Sequence, residues 1–181
     1  IFPMIAGILI VNKDFVNFFL GQDFQDARYA IAIMVFRMFF IGWTNIMGIQ
    51  ILIPHNKNRE FMLSTTIPAV FSVGLNLLLI PPLGYIGASI VSVATEGLVW
   101  LIQLYFTHSY LKEVKILPSM LKILLAALLM YGALYSVQAF MYFSSVVNVL
   151  IYAVLGFLVY GGLVLVLRIL DFQELKSVLK K

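Results

Sequence analysis

Four ionisable residues, Lys13, Asp14, Arg37 and Glu96, stand inside long apolar runs. An isolated charge at the centre of a bilayer costs at least about 2.5–3.5 kcal/mol on insertion scales, so such residues usually meet a partner, a cavity or a substrate. An arginine can grip an anion with a planar fork of donors. A carboxylate can pair with that arginine or hold a proton or cation. Small and polar residues recur around them at spacings of three and four. Arg37 is followed by Ile41, Thr44, Asn45, Gly48 and Leu52; Thr65, Ala69, Ser72 and Asn76 form a second series; Ala88, Ser92, Glu96, Val99 and Gln103 form a third. On a helix each series is one stripe, and a polar stripe on an oily cylinder faces protein or water rather than lipid. The candidate substrate- or cavity-lining residues are therefore Arg37, Asn45, Asn76, Glu96 and Gln103, with Lys13 and Asp14 beside them.

Two roles stay open for Arg37 and Glu96. They could handle a substrate or ion directly, or form a salt bridge that locks two helices, with a Glu96 held neutral by hydrogen bonds as a variant of the second. For Lys13 and Asp14, in the segment IVNKDFVNFF, the sequence predicts a polar outer vestibule or a helix broken at Asn12–Asp14 in preference to simple snorkelling of Lys13. His55 and His108 sit in different connectors with no carboxylate cluster, and there is no cysteine, so no metal or cofactor is expected. No Walker loop, His-Glu-x-x-His or G-x-S-x-G is present. The expectation is a protein that is not an enzyme, in which an ion gradient, the substrate gradient or another subunit drives any transport.

The elements that must position these residues are apolar runs. With 62% apolar and 11% charged residues, the chain holds six segments near the roughly 20 residues needed to cross a bilayer as helix: 1–20, 29–53, 61–81, 85–107, 118–141 and 145–169. Runs such as Leu121–Ala127 do not alternate, which rejects a β-barrel. The fold class is all-α, an integral membrane bundle of six transmembrane helices over residues 1–170, with a basic tail at 171–181. Short connectors make neighbours antiparallel. One side then receives nine Lys and Arg residues (Lys57, Arg59, Lys112, Lys115, Lys122, Arg168, Lys176, Lys180 and Lys181) and the other only Arg28. The positive-inside rule puts the nine, and both ends of the segment, in the cytoplasm. The net charge of +4 is this bias; nucleic acid is not an expected partner, and membrane lipids are. Spans five and six lack a mid-membrane polar stripe, with Gln138, Ser144, Ser145 and Asn148 at their outer ends, and are expected to face lipid almost all round. Pro54 should end the second helix, Pro68 should kink the third, and Pro81-Pro82 with Gly84 should force a tight outer turn. Gly87-Ala88 should let the fourth helix approach a neighbour closely.

The run from FFLGQDFQDA, through an arginine-bearing helix ending ILIPHNKNREFM, to NLLLIPPLGYIGASIVSVATE resembles the C-terminal half of bacterial polysaccharide flippases. These are the Wzx type of the multidrug/oligosaccharidyl-lipid/polysaccharide exporter superfamily. The resemblance covers residues 1–113. It implies a two-lobed transporter of twelve to fourteen helices around a cationic cavity, of which this chain would be the last six of fourteen. The missing N-terminal helices would then be a partner, as the abrupt start Ile1-Phe2-Pro3 also leads one to expect. It further implies a bacterial cytoplasmic membrane, movement of undecaprenyl-diphosphate-linked oligosaccharide, and a role for Arg37 facing that lipid-linked anion. An ion-coupled multidrug exporter of the same superfamily and a non-transporting membrane scaffold are the alternatives.

Overall fold

In a computed structural model the chain is described over residues 1–111, 116–140 and 143–167. Lys112, Lys115, Arg168 and the basic tail 171–181 lie outside those residues. Among the described residues the secondary structure is helical, without a strand. Five helices are long and apolar enough to cross a membrane.

Helix α1 spans Phe2–Phe19. Pro3 sits in its first turn, where a missing N–H costs nothing. Gly21, with φ of 88°, stops it; the Leu20 and Gly21 N–H groups both return to the Val16 carbonyl, at 2.9 and 3.1 Å. The expected break at Asn12–Asp14 does not occur. α1 runs through both residues, because Asp14 is satisfied in part by another helix rather than by unwinding its own.

After a 3-10 turn at Gln22–Phe24, one apolar rod covers Ala27–Leu52. It is not uniform. Helix α2 (Ala27–Met34) and helix α3 (Arg37–Thr44) are joined by a tightened turn. There Phe36, Met38 and Phe39 bond carbonyls three residues back, at 3.1–3.2 Å. The rod then widens into a π-helix over Asn45–Leu52. Pro54, which has no N–H to donate, follows its end, and Asn56 takes φ of 58° in the turn to the next helix.

Helix α4 covers Asn58–Leu111, 54 residues. A straight helix of that length would be about 80 Å long, far beyond a bilayer. It is broken at Gly84, whose φ of 54° and ψ of −132° suit only a residue without a Cβ. The arms, 58–83 and 85–111, fold back on each other. Gln103 Nε2 donates to Ser64 Oγ at 3.2 Å, and a Cβ on Gly87 would collide with the Leu79 backbone, 2.7 Å from its carbonyl carbon. Gly87 thus does what the sequence predicts of it. Pro68, Pro81 and Pro82 lie inside the arms, where the dihedrals stay helical; the reversal falls on Gly84 alone.

Helices α5 (Ile116–Phe140) and α6 (Ser145–Val166) follow. The chain divides into two compact units, one of Gln22–Val114 with Ile1, the other of Phe2–Gly21 with Lys115–Lys181. In the second, α1, α5 and α6 share a core of Ala6, Ile10, Met130, Leu134 and Tyr152, and α6 faces α5 at Gly156, where an added Cβ would lie 3.4 Å from Leu134 Cδ1. This corrects the expectation that spans five and six face lipid almost all round: each gives one face to α1. Their other faces remain oily, with Phe140 88% and Phe157 81% exposed, surface that suits lipid and not water.

Candidate functional site

Helix α3, the π-helix and both arms of α4 enclose an open cleft of about 400 Å³. The rod contributes Thr44, Asn45 and Ile49; the first arm contributes Phe61, Thr65, Ala69 and Ser72; the second contributes Thr95, Glu96, Val99 and Gln103. Hairpin geometry brings the two arms' stripes opposite each other, since Ser64 meets Gln103 near one end and Leu79 meets Gly87 near the turn.

Arg37 lies at the start of α3 and reaches Glu96 in the middle of the second arm. Its Nη2 donates to Glu96 Oε1 at 2.8 Å and its Nε to the same oxygen at 3.2 Å. The side chains are 39% and 19% exposed, so the pair is only partly removed from its surroundings. Two of five guanidinium N–H donors are used, and Glu96 Oε2 is left available. Arg37 borders the cleft only through Glu96, which lines it. Behind the pair, the Phe40 ring lies over Gly97, where an added Cβ would be 3.6 Å from it, and packs on Trp100 with ring centroids 5.8 Å apart.

The cleft's hydroxyls are oriented by their own helices. Thr44 donates to the Ile41 carbonyl, Thr65 to Met62, Ser72 to Ala69 and Thr95 to Val91, all within 3.1 Å. The Asn45 amide donates to the Ile41 carbonyl at 3.0 Å. Gln103 is 1% exposed, gives its amide to Ser64, and holds Oε1 without a hydrogen-bond partner among the described residues. With their donors committed, these groups offer mainly acceptor oxygens to a ligand.

The π-helix shifts the register of the rod's stripe. Thr44, Asn45 and Ile49 line the cleft, while Met47, Gly48 and Leu52 are buried. Gly48 lies so close to Phe61 and Gln103 that a Cβ would be 2.7 Å from Phe61 Cε2 and 3.0 Å from Gln103 Nε2. π-helical turns are rare and gather at functional sites; hydrophobic spacing gave no sign of this one.

Of the remaining candidates, Asn76 is apart from the cleft. It lines a separate hollow with Val73, Leu77, Ile80 and Pro81. Lys13 is exposed and Asp14 is buried in the other unit. There Asn148 Nδ2 donates to Asp14 Oδ2 at 3.2 Å. The sequence places Asn148 at the outer end of its span, and spacing alone does not link it to a residue 134 positions earlier.

No family model and no solved structure matches the chain. The chain is similar to an uncharacterized membrane protein, MJ1068, of Methanocaldococcus jannaschii, 25% identical over 171 residues. The match covers 92% of this chain and 32% of that relative's length. With the apolar helices this makes the chain a multi-pass membrane protein.

Proposed function

We propose that this chain is part of a membrane transporter that moves a lipid-linked oligosaccharide, with the cleft of Arg37 and Glu96 as part of its path. The observation that carries the reading is an ion pair whose Glu96 lies on the wall of a cleft lined by hydroxyls and amides, with Arg37 just behind it, inside helices that are otherwise oily. A diphosphate calls for a guanidinium, and Arg37 keeps three N–H donors after pairing with Glu96. A sugar's hydroxyls call for acceptors, which Thr44, Thr65, Ser72, Thr95 and Gln103 offer. The resemblance to Wzx-type flippases agrees with this substrate. In this reading the chain crosses the membrane six times, α4 twice, with both ends cytoplasmic in a bacterial cytoplasmic membrane, and it is not an enzyme.

An ion-coupled multidrug exporter is the second reading. It is favoured by one observation: the cleft's acceptors and Glu96 Oε2 would also suit a cationic drug.

A double-mutant cycle in the full-length protein tests the proposal, reading polysaccharide export alongside protein abundance. Arg37→Gln should cut export at least tenfold at normal abundance, Arg37→Lys should cut it less, and Arg37→Gln with Glu96→Gln should stay inactive. Rescue in the double variant would assign the pair to helix locking alone, because neither charge is then left unmatched. Full export by Arg37→Gln would remove the proposed role altogether.

A further inference from the structure

The unit built from α1, α5 and α6 contains a buried carboxylate with one oxygen unmatched. Asp14 is 1% exposed, in a helix long and apolar enough to cross a membrane. Its Oδ2 accepts from Asn148 Nδ2 at 3.2 Å. Its Oδ1 is buried without a hydrogen-bond partner among the described residues. Asn148, also 1% exposed, is fully engaged: Nδ2 donates to the Phe143 carbonyl at 3.3 Å, and Oδ1 accepts from the Phe143 N–H at 3.1 Å. It can turn no further donor toward Asp14.

The other ionisable groups on the three helices do not neutralise it. Lys13 is exposed on α1. Lys122 is exposed on α5, about 27 Å along the helix from the Phe140 end by helical rise. The remaining titratable groups are the phenols Tyr131, Tyr135, Tyr152 and Tyr160. Among the described residues the chain's one salt bridge is Arg37–Glu96. A buried ionised carboxylate held by a single neutral donor keeps most of its desolvation penalty, and a single positive charge at Oδ1 would remove it.

The geometry points to Asp14 Oδ1 as the binding point of a small cation, a proton or a sodium ion, between α1 and the start of α6. Asn148 is the positioning residue. It fixes the carboxylate through Oδ2 and ties it to the Phe143–Asn148 turn, so occupancy is coupled to the seating of α6 on α1. The site shares no residue with the Arg37 cleft and stands or falls separately from it.

The test is the melting temperature of the purified full-length protein in detergent. It is scanned against Na⁺ at constant ionic strength, with N-methylglucamine as the replacement, and separately against pH without Na⁺. A ligand that binds only the native state raises the melting temperature with its concentration. A sodium site gives a rise with Na⁺; a proton site gives a fall as pH rises. In either case Asp14→Asn should abolish that dependence, while Arg37→Gln should leave it. Wild-type protein flat in both scans, or Asp14→Asn retaining the wild-type slope, overturns the site. If Asp14→Asn does not accumulate, Asn148→Ala decides. Removing the amide that stabilises the empty carboxylate should move the half-maximal response to about tenfold lower concentration of the cation that binds. Tenfold is worth 1.4 kcal/mol, the low end for a hydrogen bond to a charged group. An unmoved midpoint overturns the proposal.

Discussion

A glycine in this protein is worth what it touches. Gly48 faces Phe61 and Gln103, where a Cβ would be 2.7 and 3.0 Å from side-chain atoms. Both neighbours belong to the cleft wall, so Gly48→Ala should act there twice, straining the π-helix and pushing Phe61 toward the ligand space. A loss of roughly 1–3 kcal/mol is the scale of such overpacking. Gly74 meets nothing within 4 Å, and Gly74→Ala should be neutral or gain up to about 1 kcal/mol from helix propensity. Unfolding of the two variants in detergent, compared with the parent, checks both; equal stability would mean that Gly48 is not a packing position. The same scale explains what the sequence could say about the site. Thr44, Asn45, Thr65, Ala69, Ser72, Glu96, Val99 and Gln103 were legible as stripes, since all but Val99 are small or polar interruptions at helical spacing, and they line one cleft. Asp14 with Asn148 was not legible, because the pairing rests on tertiary packing of the first helix against the last.

At the scale of elements, the hairpin of α4 is the feature on which the cleft depends. Its arms can lie together only because Gly84 adopts a conformation open to glycine and because Gly87 allows backbone contact with Leu79. The segment NLLLIPPLGYIGAS predicts a tight turn at Pro81-Pro82 with Gly84, and the structure puts the reversal on the glycine rather than on the prolines. Pro81 and Pro82 are held in helix, and the reversal needs a single residue. Gly84→Ala should cost about 1–3 kcal/mol for the strained backbone. Gly87→Ala should be at least as damaging, since the obstructing atoms are main chain and cannot swing aside. A cross-link between Ser64→Cys and Gln103→Cys by a short bifunctional thiol reagent reports the hairpin, since the tips of the parent side chains are 3.2 Å apart. It should form readily in the parent background and less completely with Gly87→Ala. Equal cross-linking would show that the arms close without the glycine. The π-helix marks the limit of spacing arguments: a change from four to five residues per hydrogen bond alters which side chains share a face without altering composition.

For the whole molecule, the proposed sidedness rests on the charge count, and it agrees with which connectors meet within the Gln22–Val114 unit. Tyr85, just past the α4 reversal, places its hydroxyl 3.5 Å from the Asp26 carbonyl in the connector before α2. At the opposite end of the hairpin, Tyr110 packs on His55, with centroids 4.5 Å apart, and under Lys57 Nζ at 5.8 Å. At each end of the hairpin, connectors that the Lys and Arg count assigns to the same side therefore meet. In the proposed topology the two arms of the hairpin would each cross the membrane, which would make six crossings from the five long apolar helices. Single cysteines give the sharpest check, because the 181 residues contain none of their own. Leu83→Cys and Ser144→Cys should react with a membrane-impermeant maleimide added outside intact cells, and Asn56→Cys should react only after the cells are opened. Reporter fusions after Gln22 and after Lys112 or Lys181 should read outside and inside in the same pattern. A cytoplasmic position at Ser144 would reject six crossings. Labelling of Leu83→Cys only in opened cells would mean that the α4 reversal does not reach the outer face.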